Sequence, residues 1–239
     1  MVKIKNVIFD VDETLYDMTQ PFVRAFKEIW QDKYDIDMYE LYLTSRFHSD
    51  QVFAQVMAGT MTIDGAGIYR MQNAMRDFGY SITEEEALEF QHVYRKHQQN
   101  LEISKTMETI LQFLKEKGIF LAILTNGDTE HQMEKIRGMR LERWFLDERI
   151  FVSDAVGYFK PDVRTFRAVE EALHLQPEET LYIGDSIEND VEGAGAAGWH
   201  TVLLNRRHND TKGIQHKPDY IAENEEELLG YLKQRIGSC

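Results

Sequence analysis

A short apolar segment that leads directly into two aspartates constrains this chain more than any other feature. Ile4 and residues 7–9 are apolar and mostly β-branched, which predicts a buried strand of a parallel sheet. Asp10 and Asp12 follow at once. Open α/β folds bind ligands at the carboxyl edge of the sheet, so both acids are expected at a ligand site. One carboxylate there can act as a nucleophile while its neighbour transfers protons. Alone, such a pair is more often a plain acidic turn.

The length and charge of the chain limit its organisation and its partners. With 239 residues, 43% of them hydrophobic and 28% charged, it suits one domain carrying an insertion, or two modest domains. The formal net charge of −14 argues against a surface that binds nucleic acid or an anionic membrane. An acidic protein also repels phosphorylated substrates, so a metal ion or local cations would have to reverse the field at a phosphate site.

Cysteine usage and the N-terminal segment indicate a cytoplasmic protein. Cys239 is the only cysteine and the last residue, so no intrachain disulfide can form, as expected in a reducing compartment. The first apolar run is too short for a signal peptide, and no stretch approaches transmembrane length. We therefore expect a cytoplasmic location and no membrane partner.

Residues 18–100 have helical patterns and no convincing strand. They predict an all-α cap domain inserted into a core of residues 1–17 and 101–239. A separate helical domain without a role in the chemistry is the alternative. The position directly after the two acids favours a lid over the site. The cap contains several residues that could face the site, although as surface residues they need no function: Arg24, Arg46, His48, Arg70.

Capping residues mark where helices are expected to begin. Thr19 is expected to cap the first cap helix, with Pro21 in its first turn. Thr83 and Glu86 predict a capping box, and Asp162 a later N-cap. Two further cap helices are expected over residues 51–57 and 68–78.

Strand patterns resume after the cap and alternate with helical ones. Strands are expected at residues 119–124, 150–152, 181–184, 200–204 and 220–221. This alternation predicts an α/β fold with a parallel sheet. The acidic residues 223–227 are expected to form a solvated face at the start of the last helix.

Three later strand ends also carry residues suited to phosphate or metal chemistry. Thr125 and Asn126 precede a helix, where exposed amides can bind phosphate, although Asn-Gly is also a common turn. Lys160 could equally be a solvated loop lysine. Asp185 and Asp190 follow another strand, where acids also simply complement a helix N-terminus.

Taken in order, these segments resemble the motifs of the haloacid dehalogenase-like hydrolase superfamily. Residues 10–14 match its D-x-D-x-T motif, Thr125 its hydroxyl motif, Lys160 with Pro161 its lysine motif, and residues 184–190 its G-D-x-x-x-x-D motif. Each motif is common alone, whereas the ordered set is specific and extends over essentially the whole chain. The resemblance implies a Rossmann-like core with an inserted all-α cap.

The resemblance also implies roles for the acids. Asp10 would attack phosphorus to form an aspartyl-phosphate. Asp12 would protonate the leaving oxygen and then deprotonate the hydrolytic water. Asp10, the backbone carbonyl of Asp12, and Asp185 would bind Mg²⁺.

The remaining motif residues are implied to bind phosphate or to support the acids. Thr125, the amide of Asn126 and Lys160 would hold the phosphoryl oxygens. Thr14 would orient the loop and Asp12. Family members vary in the spacing of the last acid, so Asp190 is expected to hold a metal-bound water or Lys160 rather than the metal itself.

These roles indicate a Mg²⁺-dependent phosphatase acting on a small phosphate monoester such as a nucleotide or sugar phosphate. The dehalogenases of the superfamily lack the second acid, so Asp12 favours phosphoryl transfer. A sugar-phosphate mutase and a non-catalytic regulatory protein that keeps the fold remain alternatives. No nucleic-acid partner is expected, and the sequence does not predict an oligomeric state.

Overall fold

The computed structural model describes residues 3–237, so Cys239 lies outside the described residues. The chain divides into two compact units. One contains Met1–Asp17 and Glu102–Cys239, and the other contains Met18–Leu101.

A parallel six-stranded sheet forms the centre of the first unit. Its strands are β1 (Asn6–Phe9), β2 (Phe120–Thr125), β3 (Ile150–Val152), β4 (Thr180–Gly184), β5 (His200–Leu204) and β6 (Tyr220–Ala222). They pair in the order β3-β2-β1-β4-β5-β6, and every pair is parallel. The predicted α/β class with a parallel sheet core is therefore confirmed.

Strand β1 lies in the middle of this sheet because it is apolar on both faces. The side chains of Val7, Ile8 and Phe9 are fully buried, as expected for a strand covered on both sides. Phe9 pairs with Ile123 of β2 on one side and with Ile183 of β4 on the other. The chain segments that follow these three neighbouring strands consequently start at the same edge of the sheet.

The second unit is entirely helical between residues 18 and 101. Its helices are α1 (Thr19–Trp30), α2 (Met38–Met57), α3 (Ile63–Asp77) and α4 (Glu84–Gln98). Aromatic rings form its core: Phe22 packs edge-on against Phe90, and Trp30 stacks on Phe90 at 5.4 Å between ring centroids. The capping box of Thr83 and Glu86 is confirmed.

Three expectations for this unit were wrong. Met18, not Thr19, occupies the N-cap position of α1, and its side chain makes no capping hydrogen bond. Helix α2 starts at Met38, well before the expected residue 51. Its first half was not predicted because few of its residues are buried and its apolar periodicity is weak. Arg70 is buried rather than on the surface, and it donates to Gln91 Oε1 at 2.7 Å.

Helices that cover the sheet complete the first unit. They are α5 (Lys105–Glu116), α6 (Thr129–Gly138), α7 (Ser153–Val156), α8 (Val163–Leu173), α9 (Gly193–Ala196) and α10 (Glu225–Gly237). A π-helix over Ile187–Glu192 precedes α9. Asp162 caps α8 as predicted, accepting a hydrogen bond from the backbone N–H of Arg164. One side of the sheet packs Ile8 and Tyr182 with Phe166 of α8 in a buried cluster.

Residues 223–227 were expected to form a solvated acidic face, and this expectation was wrong for Glu225. Glu225 is buried and pairs with Arg206 at 2.5 Å, while Ser104 Oγ donates to its other carboxylate oxygen. A carboxylate can be buried here because both of its oxygens have hydrogen-bond donors.

None of the helices in residues 3–237 combines the length and the apolar character needed to span a bilayer.

Candidate active site

Three of the predicted site residues lie at the carboxyl ends of three adjacent strands, whereas Lys160 lies in the loop between α7 and α8. Asp10 directly follows β1, Thr125 is the last residue of β2, and Asp185 directly follows β4. The backbone N–H of Asp10 donates to the carbonyl of Ile183 at 2.9 Å, which extends the pairing of β1 with β4 to the first acid. Parallel pairing thus brings together residues that are more than one hundred positions apart in the chain.

A buried lysine lies between the acids. Lys160 Nζ is 2.8 Å from Asp10 Oδ1, 2.6 Å from Asp190 Oδ1 and 2.7 Å from the hydroxyl of Tyr182. The Tyr182 hydroxyl donates in turn to the carbonyl of Leu124 at 2.6 Å. All three donor positions of the ammonium are therefore used, and the solvated-loop alternative for Lys160 is excluded by its 4% exposure.

The loop that carries Lys160 is tied to the loop after β2. The side-chain amide of Asn126 donates to the carbonyl of Lys160, and its oxygen accepts from the backbone N–H of Lys160, both at 2.9 Å. The peptide bond between Lys160 and Pro161 is cis. The side chain of Asn126 is consequently occupied in positioning Lys160, and only its backbone amide remains for a ligand role.

Three carboxylates form a cluster, and two of them, those of Asp10 and Asp190, contact the lysine. Asp10, Asp185 and Asp190 each place a carboxylate oxygen within 4.8 Å of the others. Gly184 makes the approach of Asp190 possible, because a Cβ at this position would lie 2.2 Å from Asp190 Oδ2. Asp190 Oδ2 also accepts from the backbone N–H of Ser186 at 2.9 Å. One lysine cannot neutralise all three carboxylates when they are ionised, so a cation or a proton is needed to balance their charge.

Burial governs the protonation of this cluster. It raises the pKa of Asp10 to about 6, although the Lys160 ammonium acts in the opposite direction. Burial, followed by the charges of Asp190 and Asp10, raises the pKa of Asp185 well above its ordinary value. The pKa of Lys160 is itself well above normal, since the attraction of Asp10 and Asp190 outweighs the effect of burial. A metal ion bound by these oxygens would favour the ionised carboxylates.

The chemistry of this donor set fits a hard divalent cation. Carboxylate oxygens are the ligands that Mg²⁺ prefers, whereas zinc sites usually contain His or Cys. Among residues 3–237, neither of these belongs to the group of Asp10, Asp185 and Asp190.

Asp12 is held by a separate group of donors. Both of its carboxylate oxygens lie 2.6 Å from Lys135 Nζ. Tyr16 donates its hydroxyl proton to Oδ1 at 2.6 Å, and Gln132 Nε2 donates to Oδ2 at 3.0 Å. Burial would raise the pKa of Asp12, but the Lys135 ammonium and these hydrogen bonds together lower it well below its usual range.

Thr14 and Thr125 occupy buried positions beside the acids. Thr125 is 1% exposed at the end of β2, and Thr14 is fully buried. Thr14 Oγ1 has no hydrogen-bond partner within the described part of the chain. The donors that contact the Asp12 carboxylate in this structure are Lys135, Gln132 and Tyr16, and the orienting role that the resemblance implied for Thr14 stays a prediction.

Sequence reasoning missed Gln132, Lys135 and Tyr182. Gln132 and Lys135 lie three residues apart on α6, directly after the loop that begins with Asn126. Both are polar yet only 3% and 2% exposed. Their spacing places them on one helix face, and this could have been seen in the sequence. Only the fold shows that this face contacts Asp12. Tyr182 looked like an ordinary core residue of β4.

Removal of the Lys160 ammonium is expected to destabilise the metal-free protein. Lys160→Met would leave Asp10 and Asp190 buried without their cation, at a cost of about 3–5 kcal/mol. Urea unfolding at pH 8 in the presence of EDTA measures this cost. The matched control is Lys5→Met, which breaks a pair of 2.6 Å between Lys5 and Glu179 with the lysine 58% exposed. It should cost no more than about 1 kcal/mol. Equal losses in the two variants would contradict the prediction.

The fold and the cluster at its strand ends define a hydrolase of the haloacid dehalogenase class. The model of the haloacid dehalogenase-like hydrolase family matches residues 4–198. The chain therefore belongs to this family, and the resemblance inferred from the motifs is confirmed.

Several relatives are named phosphatases. The glyceraldehyde 3-phosphate phosphatase of Methanopyrus kandleri is 24% identical over 97% of this chain and 98% of that protein. The enzyme of the same name from Pyrococcus furiosus is 30% identical over 57% of each chain, so the match spans little more than half of its length.

Solved structures share the fold over nearly the whole length of the chain. The HAD-hydrolase YfnB from Bacillus subtilis, in a form bound to magnesium, has a TM-score of 0.72 and 25% identity, covering 97% of this chain and 99% of that one. Haloacid dehalogenases also match in shape, for example with a TM-score of 0.75 at 18% identity. At that identity the likeness shows the fold alone.

Proposed function

We propose that this protein is a Mg²⁺-dependent phosphatase that hydrolyses a small phosphate monoester through an aspartyl-phosphate on Asp10. The observation that carries the proposal is the position of Asp10. Its carboxylate is anchored by Lys160 at 2.8 Å, belongs to the cluster with Asp185 and Asp190, and follows the central strand of the sheet. A nucleophile, a cation and a metal-binding set thus meet at one point.

Each residue of the site then has a chemical task. Asp10 attacks the phosphorus atom, and Asp12 gives a proton to the leaving oxygen. In the second step Asp12 accepts a proton from the water that hydrolyses the aspartyl-phosphate. Lys160, with Thr125 and the amide of Asn126, offsets charge on the phosphoryl oxygens. Mg²⁺ held by Asp10, Asp185 and the carbonyl of Asp12 would supply further charge compensation, with Asp190 in support through Lys160.

Two features support phosphoryl transfer over dehalogenation. A halide leaves as an anion and needs no proton, so a dehalogenase would not need Asp12 as an acid, whereas the alkoxide leaving from a phosphate ester does need that proton. The cluster of Asp10, Asp185 and Asp190 also offers oxygen ligands for Mg²⁺, and displacement of a halide requires no metal ion.

The substrate is proposed only as a class. A nucleotide or sugar phosphate fits the site, and the names of the relatives add glyceraldehyde 3-phosphate and phosphoserine as compounds to test. Water as acceptor separates a phosphatase from a sugar-phosphate mutase, which transfers the phosphoryl group to a second sugar hydroxyl.

The direct test is phosphate release from a panel of such monoesters, with p-nitrophenyl phosphate as a general substrate. We expect turnover with Mg²⁺ and its loss with EDTA. Isomerisation of a sugar phosphate without phosphate release would favour the mutase. Absence of turnover across the panel, with Mg²⁺ bound, would favour a regulatory protein.

The stabilisation of the protein by Mg²⁺ is expected to depend on pH. The pKa of Asp10 is raised to about 6 in the folded metal-free protein. The folded state therefore binds a proton more tightly than the unfolded state, and the metal-free protein loses stability as pH rises from about 4 to 6. Mg²⁺ requires the ionised carboxylate, so it must displace that proton below pH 6. The increase in melting temperature caused by Mg²⁺ should accordingly be larger at pH 7.5 than at pH 5.

Two variants check the origin of this pH dependence. Asp10→Asn removes one of the two proposed metal ligands whose pKa is raised, the other being Asp185, and should weaken the dependence. Asp147→Asn, an exposed aspartate in the same unit, should leave it unchanged. An equal Mg²⁺ effect at both pH values in the wild-type protein would contradict the assignment of the raised pKa to a metal ligand.

A further inference from the structure

Lys135 on α6 is a buried cation with one acidic partner. Its side chain is 3% exposed, and Nζ lies 2.6 Å from both oxygens of Asp12. Burying an ammonium costs free energy unless the charge is paired. Even a well-paired buried ion pair often stabilises a protein no better than packed apolar side chains of the same size. Stability alone therefore gives a weak reason for a lysine at this position.

The geometry around Asp12 indicates a different reason. The carboxylate accepts from Lys135 on both oxygens, from Tyr16 on Oδ1 and from Gln132 on Oδ2. Donors on two sides leave the carboxylate little freedom to rotate about its last bond. Gln132 Nε2 also donates to the carbonyl of Asn126 at 2.9 Å. One face of α6 thus joins Asp12 to the loop that positions Lys160.

We propose that Lys135 is a positioning residue that orients the Asp12 carboxylate for proton transfer, with Gln132 as its helper. This inference rests on the proposed phosphatase function. Lys135 acts through Asp12 and does not touch the phosphate ester. A misplacement of about 1 Å in a proton-transfer group can cost on the order of 10²-fold in rate. The effect of losing Lys135 should therefore appear in kcat, with KM changed by less than about threefold.

The dependence of the first-step rate on the leaving group distinguishes a positioning role from a merely structural one, because a structural role would slow both substrates equally. An alkoxide leaves poorly without a proton, whereas nitrophenolate needs little help. Lys135→Met should slow the first chemical step with an alkyl phosphate by about 10–100-fold and with p-nitrophenyl phosphate by less than about threefold. The control Lys5→Met breaks an exposed lysine–carboxylate pair of the same length and should change neither step.

A double-mutant cycle tests whether Lys135 acts through Asp12. The first-step rate with the alkyl phosphate is measured for the wild type, Lys135→Met, Asp12→Asn and the double variant, all with Mg²⁺. If Lys135 only positions Asp12, its loss should cost less than about twofold once Asp12 is replaced by asparagine. An equal cost in both backgrounds would overturn the inference, because Lys135 would then act on the substrate or on the fold.

A second variant covers the case in which Lys135→Met does not fold. Gln132→Met removes one neutral donor and keeps the volume of the side chain, and it should shift the leaving-group dependence in the same direction by a smaller factor. Unchanged dependence would overturn the inference. If the wild-type protein itself hydrolyses no phosphate ester, the proposed function fails, and this inference fails with it. A fully active wild type with an unaltered Lys135→Met variant overturns only the role of Lys135.

Discussion

Asp10→Asn is expected to lower phosphatase turnover by at least about 10⁴-fold, as loss of the nucleophile does in enzymes that form covalent intermediates. The amide cannot attack phosphorus, and the substitution also removes one carboxylate from the cluster with Asp185 and Asp190. Phosphate release with Mg²⁺ measures the loss. Acid quenching during turnover should trap hydroxylamine-labile phosphate on the wild-type protein and none on the variant.

The same variant should remain folded. Burial already favours the neutral form of Asp10, raising its pKa to about 6, so a neutral amide of the same shape suits the site. The amide would keep an oxygen that can accept the hydrogen bond of Lys160, and like-charge repulsion from Asp190 would be relieved. Asp147→Asn, on an exposed position of the same unit, serves as the matched control and should keep full activity. Wild-type turnover in Asp10→Asn would mean that another residue is the nucleophile.

Asp12→Ala is expected to stall the reaction after its first step. The second step requires Asp12 as a base whatever the leaving group was, so hydrolysis of the aspartyl-phosphate should slow by about 10²–10⁴-fold. With p-nitrophenyl phosphate, rapid mixing should show a burst of nitrophenol followed by slow turnover. Phosphate should accumulate on Asp10. With an alkyl phosphate the first step should already be slow, because the variant has no Asp12 to protonate the leaving alkoxide.

Two comparisons make this result specific to Asp12. Asp12→Ala leaves the Lys135 ammonium buried without a carboxylate, so part of its effect could be structural. Asp12→Asn keeps an acceptor for Lys135 and Tyr16 and should show the same burst. Asp10→Asn should show no burst at all. Equal slowing of both substrate types, without trapped phosphate, would assign Asp12 to metal binding or structure alone.

The arrangement of the strand ends could be predicted from short stretches of sequence. Residues 7–9 are apolar without interruption, and a polar or acidic group follows directly at Asp10. The same holds for β2 with Thr125 and for β4 with Asp185. Strands of this kind pair in parallel, and parallel pairing collects their carboxyl ends at one edge. Local patterns therefore sufficed for the fold class.

Other features could not be predicted because they depend on partners that are distant in the chain. Helix α2 was predicted too short, since its weakly amphipathic sequence is stabilised by packing within the helical unit rather than by its own pattern. Glu225 looked like one more solvated acid until its partners Arg206 and Ser104 were known. In both cases the decisive contact is tertiary.

The sequence by itself determined the parallel α/β core, the helical insertion after the first motif and the acids at the strand ends, because hydrophobic periodicity and local spacing encode these directly. Only the tertiary structure decided how the charges are paired. It places Lys160 between Asp10 and Asp190, and Lys135 against Asp12. Lys135 and Asp12, and likewise Lys160 and Asp10, are more than one hundred residues apart in the chain. Lys160 and Asp190 are closer, at 30 residues. A lysine in a loop and a lysine on a helix look alike in sequence, and burial against a particular carboxylate is what distinguishes them.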